Sequence, residues 1–460
     1  MRRWPLRLGL QLGLFQLGIG LFGVLSRGLF NRLLIEEMQL PAVLAAVAIG
    51  SQQLMGFTRV WFGNRSDRIP LSRLRRTPFI FGSSLALALL FALACQLLLL
   101  LGRTTATSGG SGVVLPVLML TLVFIAIGAA VAAGGTAFSA LIADRTTEDE
   151  RPRLLSVVWG MRLMGVLLGS VVVNRVFGSA CAAVAGPVAV LAGLERLAVV
   201  TPLLLFSLGL LSVLGVERRT PGLVASVTSP STSEPERLAL SQLLLRLRAI
   251  PQASRFLGVL CLFTFSMFLN DAVLEPYGAA VFGMSVCATT ALNVLIALGF
   301  FAGLALSGFV LIQRFGTICI ARFGAVLAAL ALMLLAGVEA SIPMLRFAVS
   351  LFGLSLGVCI NACLTLMFSF VQAGHSGFLL GVWGAGYAYS CGLATISGGA
   401  LLTLLQRFNG GDAAGAYSGV FALQMLCFLT AAWMTSRLDL RGFRAKVQTS
   451  LSTVIEMAVD

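Results

Sequence analysis

Pro78-Phe-Ile-Phe-Gly-Ser-Ser-Leu-Ala-Leu-Ala-Leu-Leu-Phe-Ala-Leu-Ala-Cys-Gln-Leu-Leu-Leu-Leu-Leu101 runs for 24 residues without a charge, one residue after Arg75-Arg76. Crossing the ~30 Å of a hydrocarbon core as an α-helix takes about 20 apolar residues. The stretch therefore reads as a transmembrane helix whose basic flank stays in the cytoplasm. Its apolar residues are continuous, whereas a barrel strand would alternate with period two. Similar runs recur on both sides of it. They place spans at 8–35, 42–60, 78–101, 113–141, 154–176 and 198–216, then at 256–275, 288–311, 318–338, 343–371, 377–405 and 416–436.

Composition agrees with this reading. Of 460 residues, 58% are apolar and 11% charged, and mean hydropathy is +0.97. A soluble chain of this length would need far more charged surface. The net charge of +14 comes as short basic clusters between apolar runs, which is a topogenic pattern and not a nucleic-acid footprint. With the N-terminus cytoplasmic, 24 of the 32 Lys and Arg fall on the cytoplasmic side, 7 on the other, and Arg162 inside a span. Both termini are thus expected in the cytoplasm. Arg2-Arg3 before an apolar run resembles a signal peptide, but no small-residue cleavage site follows, so an uncleaved first span is expected.

The expected fold is all-α, with twelve transmembrane helices in two pseudo-symmetric six-helix halves. The boundaries are 1–216 for the first bundle, 217–252 for a cytoplasmic linker rich in Pro, Ser and charge, 253–438 for the second bundle, and 439–460 for a cytoplasmic tail. Two internal echoes support duplication. Asn31-Arg32-x-x-x-Glu36 ends the first span much as Asn270-Asp271-x-x-x-Glu275 ends the seventh. Trp159-Gly160 in the fifth parallels Trp383-Gly384 in the eleventh. Two such stacked repeats are the plan of the major facilitator superfamily.

The connection after the second span, Arg59-Val-Trp-Phe-Gly63-Asn-Arg-Ser66-Asp67-Arg68 … Arg75-Arg76-Thr-Pro78, resembles that superfamily's loop signature. Gly63 permits close helix approach, and Asp67 can accept hydrogen bonds from a helix end or from arginines. Gly63, Asp67, Arg68, Arg75 and Arg76 are thus expected to form a cytoplasmic latch; an ordinary basic loop is the alternative. Asp144 to Arg153 is a second charged cluster, whose acidic members suit the N-terminus of the fifth span.

The segment Asp271-Ala-Val-Leu-Glu275-Pro276-Tyr277-Gly278-Ala-Ala-Val281-Phe282 resembles the hallmark of the PucC family. Asn31-Arg32…Glu37…Pro41, the loop from Arg59 to Ile80, and Gly381-Val-Trp383-Gly384 agree with it along nearly the whole chain; Asn270 stands where that family usually has glutamine. The resemblance implies a light-harvesting assembly protein of the bacteriochlorophyll-delivery branch of the major facilitators. Such a protein would sit in the photosynthetic membrane, thylakoid or intracytoplasmic, and carry chlorophyll or bacteriochlorophyll as transient cargo. Its partners would be membrane lipid, light-harvesting or photosystem polypeptides and pigment-synthesis enzymes, with no nucleic acid.

Polar groups inside spans are expensive in lipid and so are the candidates for facing a cavity or pigment. They are Asn31, Arg32, Glu37, Arg162, Asn270, Asp271, Glu275, Asn293 and Asn361. A tetrapyrrole magnesium could take an oxygen or amide ligand, while the single histidine, His375, reads as a loop residue. Arg32 and Asp271, at equivalent positions of the repeat, could pair across the halves. The nine cysteines contain no CxxC or zinc pattern, and no nucleophile–base pair or phosphate loop is visible. An enzyme is not expected. A secondary transporter on the same fold, or a scaffold binding polypeptides without pigment, stay open as alternatives.

Overall fold

The computed structural model describes residues 6–30, 33–34, 38, 40, 42–68, 74–108, 113–177, 187–217, 251–270, 273–284, 286–337, 341–370, 376–408 and 413–439. Among them the protein is helical. The elements are α1 (Leu6–Gly23, continued by a π-helical turn Val24–Leu29), α2 (Ala42–Gly50), a 3-10 turn Ser51–Phe57, α3 (Thr58–Arg68), α4 (Thr77–Ser108), α5 (Val114–Arg145), α6 (Arg151–Phe177) and α7 (Pro187–Val213). Then follow α8 (Pro251–Leu269), α9 (Leu274–Phe282), α10 (Val286–Leu306, continued by a π-helical turn Ser307–Leu311), α11 (Ile312–Phe315), α12 (Thr317–Gly337), α13 (Ile342–Ser369), α14 (Ser376–Phe408) and α15 (Ala413–Ser436). Nine helices among the described residues are long and apolar enough to cross a membrane. The other three expected spans coincide with the interrupted α2–α3, with α8 and with α14.

The uncharged run from Pro78 to Leu101 lies within α4, 32 residues long, or about 48 Å at 1.5 Å per residue. Its length carries it beyond the hydrocarbon core. Large apolar side chains such as Leu89, Leu203 and Leu298 are exposed, as lipid-facing surfaces require.

The chain divides into two compact units: Met1–Pro230 with Ala373–Gly392, and Ser231–Gln372 with Leu393–Asp460. The boundary passes through the linker and also through α14, whose first turns group with the first unit. Close packing explains this. A Cβ at Gly381 would collide with the main-chain carbonyl of Arg59, and one at Gly56 would lie 3.2 Å from the Cβ of Ala388.

The internal repeat is visible in which helices pack together. In the first unit α4 packs on α5 and α7, α5 on the 3-10 turn and α3, and α1 on α7. In the second unit the corresponding helices six spans later pair likewise: α12 on α13 and α15, α13 on α10, and α8 on α15. An aromatic core ties the first unit, with Phe30 stacked on Phe91 at 5.2 Å and Phe124 edge-on at 6.5 Å. In the second unit Tyr277, from the Glu-Pro-Tyr-Gly segment, is buried against Tyr417 and Phe421. Its hydroxyl donates to the Leu335 carbonyl at 2.8 Å.

The α10–α13 pair is a two-sided small-residue seam. Gly299 and Gly303 on one helix face Gly353 and Gly357 on the other, and a Cβ at any of them would strike partner backbone. Backbone cannot swing aside as a flexible side chain can, so these helices touch main chain to main chain. Gly303→Leu is expected to cost on the order of 3 kcal/mol through overpacking. A lowered melting temperature of the solubilised protein would show it; an unchanged one would mean that the seam tolerates bulk.

Candidate functional site

Asp67 and Arg76, two of the residues expected to form a latch, lie in a tight cluster of buried charges. Asp67 closes α3, and Arg76 stands just before α4, with side chains 6% and 3% exposed. Arg76 uses every arm of its guanidinium. Nη2 donates to Asp67 Oδ1 at 2.6 Å, Nη1 to Ser66 Oγ at 2.6 Å, and Nε to Asp144 Oδ2 at 3.1 Å. The second Asp67 oxygen accepts the main-chain N–H of Phe378 at 2.9 Å. That N–H belongs to the first turn of α14, where helix amides have no partner within the helix. A carboxylate there also meets the positive end of the helix dipole.

Glu217, just beyond α7, completes the cluster. Its carboxylate accepts the N–H groups of Arg75 at 2.7 Å, Arg76 at 3.1 Å and Thr77 at 2.8 Å, capping α4. The ends of α3, α4, α5 and α14 are thus tied by three carboxylates and one arginine. Gly63 is buried within α3, and its carbonyl accepts the Ser66 hydroxyl at 2.9 Å. Arg75 takes part through its main chain, and the side chain of Arg68 lies outside the described residues. Asp67 thus takes one guanidinium out of a strongly basic loop. Sequence reasoning missed Glu217, which it had counted as linker; no local signal joins residues 142 positions apart.

The acidic run before α6 works as expected of a helix start. Glu150 reaches back to accept the Thr147 N–H at 3.1 Å, one half of a capping box.

A second constellation lies within the helices of the first unit. α1 and α6 cross at backbone distance: a Cβ at Gly20 would meet the Arg162 carbonyl, and one at Gly165 the Leu17 carbonyl. The crossing sets Arg162 against Gln16, with Nη1 donating to Oε1 at 3.2 Å. The guanidinium also lies over the Trp159 ring, 5.1 Å from its centroid. Arg59, read from sequence as the opening of the loop, instead sits half-buried between α5 and α14. Gly384 flanks this arginine.

The remaining candidates fall apart spatially. Asn361 is buried on α13 and donates to Ser307 Oγ at 2.9 Å, a bond between neighbouring helices. Asn293 is exposed on α10. Asn270 is buried at the end of α8, and its side-chain oxygen has no hydrogen-bond partner among the described residues. Glu275 lies on α9, its side chain outside the described residues. Asn31, Arg32, Glu36, Glu37, Asp271 and His375 also lie outside them, and the Arg32–Asp271 pairing with them.

A protein encoded in the puhA-bchM intergenic region of Rhodobacter capsulatus is 30% identical over 428 residues, covering 90% of this chain and 83% of its own. The bacteriochlorophyll synthase 44.5 kDa chain of the same species is 29% identical over 452 residues, covering 96% and 97%. Among solved structures, the fucose:proton symporter FucP of E. coli, a major facilitator, superposes with a TM-score of 0.68. It is 14% identical and covers 94% of this chain and 99% of its own. The fold is therefore that of the major facilitators, in a multi-pass membrane protein. Residues 29–443 match the family model described as PUCC protein, and the chain belongs to that family.

Proposed function

We propose that this protein takes up chlorophyll or bacteriochlorophyll within the photosynthetic membrane and delivers it to newly inserted light-harvesting or photosystem polypeptides, without catalysing a reaction itself. The observation that carries this reading is kinship over nearly the full length with a chain named for bacteriochlorophyll synthesis. Both termini would face the cytoplasm, where pigment-synthesis enzymes could dock. The polar groups within the first unit, Arg162, Gln16 and Arg59, supply what a largely apolar pigment with a few polar substituents needs for orientation.

The absorbance spectrum of protein purified in mild detergent from its native membrane tests the reading. Pigment bands in fixed proportion to protein are expected. Client polypeptides copurifying without pigment would replace delivery with scaffolding.

A second reading has its own support. The clamp between Asp67 and the start of α14 is the kind of contact that an alternating-access carrier makes and breaks, and the fold is shared with a proton:sugar symporter. Solute uptake driven by a proton gradient in reconstituted vesicles would favour transport.

A further inference from the structure

In the second unit α8 packs against α15, so that the start of one helix meets the end of the other. Inside the bundle Phe263 and Phe428 join them, ring centroids 6.3 Å apart. At the end, Gln252 Oε1 accepts the main-chain N–H of Asp439 at 3.2 Å. Between these ties opens a cleft of about 340 Å³, lined by Arg255 of α8 and by Trp433, Met434 and Arg437 at the end of α15. Gly258 leaves room for this arrangement, since a Cβ there would stand 3.1 Å from Met434 Cε.

The cleft concentrates positive charge at the boundary of the apolar spans, which end at Ser436 and begin at Ser254. Arg255 and Arg437 are exposed, and neither takes part in an ion pair among the described residues. Asp439, the nearest carboxylate in sequence, is not part of the lining. The first turn of α8 holds no acidic residue, so the positive end of that helix adds to the charge of the cleft. Arg437 lies over the Trp433 ring, its Cζ 5.2 Å from the centroid. Stacking occupies the face of a guanidinium and leaves its in-plane N–H donors free to grip an oxyanion.

The surface leading to the cleft distinguishes a lipid from a dissolved anion. Leu426, Leu429 and Trp433 are exposed, and with Arg437 they recur every three or four residues, on one face of the helix. Leu426 stands 11 residues before Arg437, about 16 Å, the depth of one leaflet of a ~30 Å core. Tryptophan near the end of such a stripe suits the interface between hydrocarbon and headgroups.

We propose that the α8–α15 cleft binds the phosphate group of an anionic phospholipid, held by Arg255 and Arg437, with the acyl chains along Leu429 and Leu426. Basic pockets between membrane helices recognise such headgroups. The lipid would fasten the first helix of the second unit to its last. This assignment does not depend on the pigment reading.

Full-length protein in a neutral detergent is titrated with phosphatidylglycerol or phosphatidylcholine, and bound lipid is counted by native mass spectrometry. Phosphatidylglycerol is expected to bind about 25-fold more tightly, from about fivefold for each basic residue beside the phosphate. Arg255→Gln and Arg437→Gln should each lower that preference about fivefold, with the melting temperature of the lipid-free protein unchanged. The control Arg314→Gln, at an exposed arginine elsewhere in the second unit, should leave the preference intact. Equal binding of the two lipids by the unaltered protein overturns the proposal without any variant. A preference that survives both cleft substitutions, or falls as much with Arg314→Gln, overturns it too, because the charge would then act from the surface at large. Sodium phosphate displacing the lipid at equal concentration would keep the arginines as an anion site and overturn the phospholipid assignment.

Discussion

Arg76→Ala is expected to remove most of the protein from the membrane. Asp67 is buried, and its neighbour within the clamp is this arginine at 2.6 Å. Removing one partner of a buried pair costs about 3–5 kcal/mol. Asp144 and Ser66 lose a donor in the same step. Arg76→Lys should recover little, because one ammonium on a flexible stem cannot reproduce a fork directed at three acceptors. Immunoblots of membranes and thermal scans of solubilised protein measure the effect. Wild-type abundance for Arg76→Ala would show that the cluster contributes nothing to folding.

Asp67→Asn separates folding from function. The amide keeps the shape and an acceptor for Phe378, so insertion and abundance should stay near normal. What goes is the negative charge shared between Arg76 and the start of α14. Hydrogen bonds to charged groups contribute about 1.5–3 kcal/mol, so the hold on α14 should weaken by roughly tenfold or more. Assembly of pigment–protein complexes, read from membrane absorbance, should fall accordingly. Normal assembly at normal abundance would reduce Asp67 to a part of a topogenic loop.

Those two residues also show how far the sequence could be read. Asp67 was legible because one carboxylate in an arginine-rich loop needs a reason. Arg76 could not be singled out there, since the choice depends on where α5 brings Asp144. Apolar run length was enough for the helical, membrane-spanning class, because lipid leaves few backbone solutions. The interrupted second span was not readable from hydropathy. Its 3-10 turn sits where a Cβ at Gly128 would touch the Gln52 main chain, a tertiary contact without local trace. Arg162 stood out as a charge within a span. Arg59 did not, since four residues before Gly63 it looks like any loop arginine until α5 and α14 close around it.

The separations within the clamp also impose an order on biosynthesis. Asp67 and Arg76 leave the ribosome together, but Asp144 follows Arg76 by 68 residues, and Phe378 follows Asp67 by 311. At about 5–20 residues per second, those delays are roughly 3–14 s and 15–60 s. Glu217, 142 residues after Arg75, arrives between them. While the early helices insert, the loop therefore presents its arginines with few carboxylates to offset them, and the positive charge that fixes orientation is at full strength. Neutralisation comes afterwards, one carboxylate at a time. The last bond, to α14, can form only when most of the polypeptide has been made. The same arginines serve first as a signal for insertion and later as a fastening.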